Sequence, residues 1–224
     1  MMDSKLLFQA LVKFLSGLII IFLLLFVPAG SLDYFNGWLF MALLFIPMLV
    51  AGIVMFIKSP ELLKRRLNAK EDEDEQKIVI FISAIIFLLA FVIAGLNFRF
   101  GWFHLPRIVI ILASIVFLLS YVMYGEVLRE NEYLSRTVEV SENQKVIDSG
   151  LYGIVRHPMY TSTIFLFLSM PLVLGSVFSF AIMLAYPIII IYRIGNEENV
   201  LENELEGYGE YKEKVKYRII PFIW

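Results

Sequence analysis

Four long stretches of the chain carry no charged side chain, and they constrain the fold more than any other feature. These stretches are Phe14–Leu32, Tyr34–Ile57, Ile78–Asn97 and Ile108–Gly125. Each is close to the roughly 20 apolar residues that an α-helix needs to cross the hydrocarbon core of a bilayer. Hydrophobic residues make up 59% of the 224 residues, and charged residues make up 18%. A soluble domain needs more polar surface, so the sequence predicts an all-α integral membrane protein.

A fifth apolar run, Met159–Tyr192, is too long for a single crossing. Its 34 residues would extend about 50 Å as one helix. Pro171, Gly175 and Ser176 divide the run near its middle and predict a hairpin of two short helices, the first beginning near Tyr160. One tilted or kinked span is the alternative. With the hairpin, the chain has about six transmembrane segments.

The basic residues predict how these segments are oriented. Six lie in the loop from Lys58 to Lys77, four between Arg129 and Arg156, and five in the tail from Arg193, whereas the opposite loops hold none and two. Basic loops tend to stay in the cytosol, so we expect a multi-pass protein of the cell (inner) membrane with both termini cytosolic. A single fifth span would put the basic tail outside, which favours the hairpin.

Two polar segments are expected at the cytosolic ends of the spans. Residues 59–77, SPELLKRRLNAKEDEDEQK, predict a short amphipathic helix followed by an acidic cluster, with Ser59 as the cap and Pro60 at the first helical position. Residues 129–149 are either a surface connector or a wall over a cytosolic pocket. Alternating apolar residues in this segment are available for a short β-hairpin or an extended lid: Val138, Val140, Val146 and Ile147.

The tail predicts a cytosolic amphipathic C-terminal helix. Apolar side chains recur every three or four residues along it: Leu201, Leu205, Tyr208, Tyr211 and Val215. Gly207 and Gly209 are expected to divide this helix into two parts. Its apolar face should lie against the cytosolic ends of the spans.

The stretch GLYGIVRHPMY, residues 150–160, stands immediately before the predicted hairpin. Because a helical hairpin returns its end near its start, this stretch should meet the beginning of the tail. We therefore expect a pocket with an apolar floor and a polar rim of Arg156, His157, Tyr160, Arg193, Glu197 and Glu198. Ionisable groups at membrane depth are costly unless they pair or bind a ligand. The chain has no cysteine, which excludes a thiolate nucleophile, and no metal site is expected.

Each rim residue also has a local explanation. Arg156 fits a side chain that snorkels from a helix start towards lipid phosphate. Arg193 and Glu197 are four residues apart and fit a helical ion pair. Tyr152 and Tyr160 fit an interfacial aromatic belt. Only the combination points to one shared site.

The two blocks together resemble the isoprenylcysteine carboxyl methyltransferase family and the related membrane phospholipid methyltransferases. The matching residues are Gly150 and Tyr152, Arg156 to Tyr160, Arg193, Glu197, Glu198 and Leu201, then Tyr208, Tyr211, Arg218 and Pro221. SPELLKRRL is similar to a loop of the bacterial members. Ser162 stands where many relatives carry a glycine two residues after the motif tyrosine.

This resemblance implies S-adenosylmethionine as methyl donor. It implies catalytic roles for Arg193, Glu197 and Glu198, and cofactor binding by Tyr152, Val155, Arg156, His157, Pro158, Tyr160, Glu198, Leu201 and Tyr208. It also divides the chain into an N-terminal four-helix transmembrane region, residues 1–128, and a C-terminal cofactor-binding methyltransferase region, residues 129–224. The Gly-x-Gly-x-x-Gly pattern after a strand is absent, which excludes the usual soluble methyltransferase fold.

The resemblance implies a lipid-borne acceptor, foremost an isoprenylcysteine-like carboxylate. The expected partners are thus a lipid or prenylated small substrate and the bilayer, with no nucleic acid and no obligate protein partner. A phospholipid or another isoprenoid lipid is an alternative acceptor. A sterol-reductase-like enzyme, which carries a similar Arg-His motif, and a non-catalytic scaffold are the alternative functions.

Overall fold

The computed structural model describes residues 4–68, 74–135 and 140–224, and over these residues it is all-helical, with no β-strand. The first helices are α1 (Ser4–Ala29), α2 (Phe35–Lys58), the short α3 (Pro60–Leu67), α4 (Asp74–Phe100) and α5 (Arg107–Glu130). A 3₁₀ turn (Gly150–Gly153) then precedes α6 (Pro158–Val173), α7 (Val177–Met183), α8 (Ala185–Glu204) and α9 (Tyr208–Lys214). The predicted all-α fold is confirmed.

Several of these helices have the length and composition of membrane spans. Within the described residues, five stretches are long and apolar enough: α1, α2, most of α4, α5, and the joined α7 and α8. The first four coincide with the four uncharged stretches of the sequence. Helix α6 is apolar and has 16 residues, which extend about 24 Å. Large apolar side chains such as Phe8, Ile46 and Val122 face outwards, as they do in a multi-pass membrane protein.

The apolar run after residue 157 folds as the predicted hairpin. Helix α6 begins at Pro158, slightly before the predicted start at Tyr160. Gly175 turns the chain with a φ of +77°, in the left-handed region that favours glycine. The Ser176 hydroxyl then caps α7 by accepting a backbone hydrogen bond at 3.2 Å. The second arm is not short, because α7 and α8 continue to Glu204.

The hairpin turn and the start of α6 lie at opposite ends of the bundle. Tyr34, just before α2, donates its hydroxyl proton to the Leu174 carbonyl at the turn, at 2.7 Å. Asn131, just after α5, donates its amide to the Tyr152 hydroxyl before α6, at 2.9 Å. We call the end that carries Arg156 the site end. The described helices run between the two ends six times, in agreement with the expected number of segments.

The C-terminal hairpin is packed into the bundle of the first four long helices. Helix α6 lies along α5, α7 packs against α4, and α1 also packs against α4. Phe40, Phe117, Met170 and Ile194 are buried in the shared apolar core. The buried Ser162 donates its hydroxyl to the Met159 carbonyl at 2.7 Å, so its polar group is satisfied within α6.

The polar segments differ in part from the sequence expectations. Helix α3 is confirmed, but the Ser59 side chain makes no capping hydrogen bond. Ser59 alone separates α2 from α3, and its backbone N–H instead donates to Met55 and closes α2. Val138 lies outside the described residues. Residues 140–149 form no strand, so the β-hairpin alternative is wrong for that part of the chain.

The tail folds as two helices, as expected. Helix α8 ends at Glu204 and α9 begins at Tyr208, after Gly207 turns the chain with a φ of +83°. The predicted apolar face forms a small second core made of Leu205, Tyr208, Tyr211 and Val215, with Leu201, Val140 and Val146 packed against it. The tail therefore packs on the 140–149 segment at the site end.

Candidate active site

A buried ion-pair network joins the two polar blocks of the sequence. Arg156 Nε donates to Glu198 Oε1 at 2.7 Å, and Arg218 Nε donates to Glu198 Oε2 at 2.9 Å. His157 Nε2 lies 3.2 Å from Glu198 Oε1. Glu198 is only 2% exposed, and a buried carboxylate is costly unless it is paired and hydrogen-bonded. The predicted meeting of Arg156 and Glu198 is confirmed.

The tail also fixes this network through its backbone. The Arg156 and His157 N–H groups donate to the Tyr217 and Arg218 carbonyls, each at 2.9 Å. The Arg156 Nη1 donates to the Val215 carbonyl at 2.7 Å. These contacts join positions about sixty residues apart in sequence. The start of α6 is therefore held by the tail as well as by α8.

A second polar cluster lies beside this network and borders an open cleft. Tyr160 donates its hydroxyl proton to the Glu197 carboxylate. Arg193 Nε donates to the Tyr160 hydroxyl oxygen at 2.9 Å. His157 Nδ1 lies 3.8 Å from Glu197 Oε1. The cluster thus brings a cation, an anion and an aromatic hydroxyl to one surface.

The cleft is open to solvent and encloses a cavity of about 100 Å³. This volume is below the roughly 300–1,000 Å³ of common ligand sites, so a larger ligand would also occupy the open part of the cleft. One side, the 131–135 wall, is formed by Asn131, Tyr133, Leu134 and Ser135. Residues 144–147, from the polar segment before α6, form a further side. The remaining sides come from α6, α8 and α9.

Two tyrosines of the cleft differ in how their hydroxyl groups are satisfied. The Tyr152 hydroxyl accepts a hydrogen bond from Asn131. Tyr208 is 4% exposed, and its hydroxyl finds no hydrogen-bond partner among the described residues. Burial, with the Glu198 and Glu197 carboxylates nearby, raises the pKa of Tyr208, so its hydroxyl stays protonated at neutral pH. A buried hydroxyl without a partner is costly, so this group is available to a ligand in the cleft.

Most of the predicted site residues border the cleft. They are Tyr152, Arg156, His157, Tyr160, Arg193, Glu197, Leu201 and Tyr208. Val155, Pro158 and Glu198 are buried and lie behind this surface. Val155 and Pro158 flank the Arg-His pair in the chain, and Glu198 points into the ion-pair network. Their geometry suits supporting the cleft rather than touching a ligand.

Several cleft residues were not predicted as site residues. Asn131, Tyr133, Gln144 and Lys145 border the cleft but belong to none of the quoted motifs. The alternation of apolar and polar residues in 129–149 was a partial signal for these cleft residues, because it suggested a wall over a pocket. Nothing in the sequence identified which side chains of that segment face inwards.

The part of the chain that forms the cleft matches a known family. Residues 107–207 match the model of the phospholipid methyltransferase family. The resemblance to the membrane methyltransferases is confirmed. This methyltransferase match covers a little under half of the chain. It runs from the start of α5 to Gly207 and includes Arg156, Tyr160, Arg193 and Glu197.

The chain is also similar to a protein that is named for a different activity. It is 28% identical over 91 residues to a delta(14)-sterol reductase from Mus musculus. The aligned part is 39% of this chain and 22% of the reductase. The chain therefore spans much less than two thirds of this curated relative.

Proposed function

We propose that the protein is an S-adenosylmethionine-dependent membrane methyltransferase that acts on a lipid-borne acceptor. The observation that carries this proposal is the cleft at the site end. The segment that matches the methyltransferase family forms most of this cleft, and Tyr160 holds Arg193 and Glu197 together at its surface. A polar cleft at the end of an apolar bundle suits a soluble donor and a membrane-dissolved acceptor.

The side chains at the cleft fit this donor. Bound S-adenosylmethionine supplies a methyl group on a positively charged sulfur. Arg193 would hold its carboxylate, and Glu197 would accept hydrogen bonds from its ammonium or hydroxyl groups. Arg156 is 6% exposed, and its Nε and Nη1 donate to Glu198 and to backbone carbonyls, so its role is to support the cleft. Tyr208 would offer an aromatic face to the cation and its unpartnered hydroxyl to a polar group.

We propose an isoprenylcysteine-like carboxylate as the first acceptor to test. A carboxylate is already a nucleophile, so no side chain needs to remove a proton from it. The cleft would then act by holding donor and acceptor in line, which alone supplies a large part of the acceleration of such reactions. Arg193 would orient the acceptor or the donor carboxylate.

An amine acceptor such as a phospholipid head group is the alternative, because it needs a base. Glu197 is better suited to that role than Glu198. The Glu198 carboxylate is already engaged by Arg156, His157 and Arg218, whereas Glu197 borders the cleft.

The test is incubation of membranes containing the protein with labelled S-adenosylmethionine, followed by mass spectrometry of the labelled products. A methylated lipid or prenylated compound is expected. Arg193→Ala should lower transfer by about tenfold or more, the effect of losing a charge-assisted hydrogen bond. Glu197→Gln should weaken donor binding with either acceptor, and at saturating donor it should lower transfer to an amine but leave transfer to a carboxylate largely intact. Glu202→Gln, on the outer face of α8, is the matched control.

A sterol-reductase-like activity is the second candidate, and the identity to the Mus musculus reductase favours it. Binding separates the two: a methyltransferase retains labelled S-adenosylmethionine, whereas a reductase of this kind retains a nicotinamide cofactor. Retention of the nicotinamide cofactor alone would contradict our first proposal. If the protein retains neither compound, the remaining alternative is a non-catalytic scaffold.

A further inference from the structure

We propose that α3 is a functional part of the candidate active site, although its side chains do not border the cleft. Arg65 and Arg66 act as positioning residues that hold the 131–135 wall in place and thereby set the affinity for the methyl donor. The statement about the donor rests on the proposed function above. The statement about the wall rests on geometry alone.

The two arginines of α3 are bonded to the backbone of the wall. Arg65 Nη1 donates to the Glu132 carbonyl at 2.9 Å, and Arg66 Nη1 donates to the Ser135 carbonyl at 2.8 Å. Arg66 Nη2 also donates to the Tyr124 hydroxyl on α5. The orientation of the Arg66 guanidinium is specific, because this one group reaches two acceptors on different elements.

Arg65 makes a further contact with a side chain of the cleft. Its guanidinium carbon lies 5.7 Å from the centre of the Tyr133 ring, within the range of a cation–π interaction. Tyr133 borders the cleft. An aromatic ring at a cleft offers a stacking surface for a nucleobase. Arg65 therefore fixes the ring that we expect to meet the nucleoside part of the donor.

The wall needs such external support because it lacks regular secondary structure. Residues 131–135 form a turn outside any helix, and its bonds include Tyr133 N–H to Asn131 Oδ1 at 3.0 Å and Leu134 N–H to the Asn131 carbonyl at 3.3 Å. Segments outside regular secondary structure open more easily than core helices. The arginines donate to carbonyls at both ends of this turn. Their loss would therefore loosen the wall without removing any residue from the cleft.

Helix α3 is itself firmly attached, so it can serve as a support. Leu62 and Leu63 are 7% and 4% exposed and anchor its apolar face. Lys13 on α1 donates to the Leu67 carbonyl at its end. Lys64 is exposed on the opposite face. A role limited to membrane orientation requires only positive charge, whereas Arg65 and Arg66 are directed at defined acceptors.

The first arm of the test measures the wall without any ligand. Backbone hydrogen–deuterium exchange of the full-length protein in detergent is compared among wild type, Arg65→Ala/Arg66→Ala and Lys64→Ala. We expect exchange in residues 131–135 to rise about tenfold in the double variant, as for the loss of about one net hydrogen bond. Exchange in the long helices should not change. Lys64→Ala should behave as wild type.

The second arm measures the donor. The double variant should bind labelled S-adenosylmethionine about tenfold more weakly, with a raised KM for the donor and a kcat at saturation within about twofold of wild type. Arg65→Lys/Arg66→Lys keeps the charge of α3 but lacks the guanidinium geometry of the two arginines, so it should have a donor affinity between those of the double alanine variant and wild type. Full restoration by lysine would show that charge alone matters and would overturn the positioning role.

The two arms separate the failure of this inference from that of the proposed function. Unchanged exchange in residues 131–135 overturns the inference, whatever the protein binds. Faster exchange with unchanged donor affinity overturns the link between α3 and the donor. If wild type binds no S-adenosylmethionine, both the proposed function and the link between α3 and the donor are contradicted. The hydrogen–deuterium exchange measurement still decides whether α3 holds the wall.

Discussion

Glu197 and Glu198 are adjacent on α8, yet they have different surroundings. Successive residues of an α-helix point about 100° apart, so Glu197 borders the cleft while Glu198 is buried against Arg156 and Arg218. The sequence predicted that this pair meets the Arg-His block. It did not reveal which carboxylate borders the cleft, because this depends on where the tail packs.

Replacement of Glu198 should destabilise the site end. Glu198→Gln leaves the buried Arg156 guanidinium without its counter-ion, and breaking a buried pair costs about 3–5 kcal/mol. Glu202→Gln on the same helix removes only an exposed pair with Lys212, which should cost at most about 1 kcal/mol. Thermal unfolding in detergent measures both changes. Equal melting temperatures would show that Glu198 is not a structural counter-ion.

Replacement of Tyr208 should separate ligand binding from stability. Its hydroxyl is buried without a partner among the described residues, so Tyr208→Phe should leave the free energy of unfolding unchanged or raise it. Donor binding should weaken about tenfold, the effect of losing one hydrogen bond. Since the pKa of Tyr208 is raised, the hydroxyl is protonated in wild type. The substitution should therefore not change the pH profile of donor binding below about pH 10.

Tyr211 provides a matched control with the opposite expectation. Its hydroxyl donates to the Tyr152 carbonyl at 2.8 Å, so Tyr211→Phe should lower the free energy of unfolding by about 1 kcal/mol. Thermal unfolding and retention of labelled S-adenosylmethionine are measured for both variants. A Tyr208→Phe variant that retains the donor as wild type does would contradict the role of this hydroxyl.

At the scale of elements, turn-forming residues predicted the C-terminal hairpin but not the length of its second arm. Pro171, Gly175 and Ser176 mark the region of the turn, and they are local signals. Helix α8 continues through Arg193 and Glu197, and both side chains are hydrogen-bonded to Tyr160 on α6. Tertiary pairing of this kind cannot be read from the apolar run itself.

The contact between α3 and the 131–135 wall was equally inaccessible to sequence reasoning. Arg65 and Arg66 meet carbonyls that lie 67 and 69 residues further along the chain. Backbone carbonyls carry no residue-specific signal, so no motif could have indicated their partners. The sequence indicated α3 as an amphipathic helix. Its relation to the cleft depends on how α2 and α5 are packed.

The connection into α6 depends on a glycine. Gly150 has a φ of +53°, and a Cβ there would lie 1.4 Å from a Glu130 carboxylate oxygen. Glu130 also accepts a hydrogen bond from the Leu151 N–H at 3.0 Å. Gly150→Ala must therefore displace Glu130 and adopt a strained backbone, which should cost about 1–3 kcal/mol.

Gly209→Ala is the control for this substitution. Gly209 lies in α9, and a Cβ there would meet nothing within 4 Å. Alanine should stabilise the helix by about 0.5–1 kcal/mol. Thermal unfolding compares the two variants, and donor retention should fall only in Gly150→Ala. A Gly150→Ala protein as stable as wild type would show that Glu130 moves aside freely.

At the scale of the whole molecule, the polar groups are concentrated at one end of an apolar bundle. The site end carries α3, the start of α6, the end of α8 and α9, while the hairpin turn lies at the opposite end near Tyr34. Six passages between the ends bring the first turns of α1 and the tail to the same end. Because basic loops favour the cytosol, the cleft should open towards the cytosol, where a soluble donor is available.

The absence of cysteine allows a direct test of this arrangement with single-cysteine variants. Glu61→Cys on α3 and Glu213→Cys on α9 mark the site end, and Leu32→Cys, which replaces a 61% exposed residue, marks the opposite end. In intact cells, a membrane-impermeant maleimide should label only Leu32→Cys, and all three should react after permeabilisation. Labelling of Glu213→Cys together with Leu32→Cys would mean that α6 to α8 cross only once. Labelling of Glu61→Cys and Glu213→Cys without Leu32→Cys would keep the six crossings but reverse the orientation, and the cleft would then face away from a cytosolic donor.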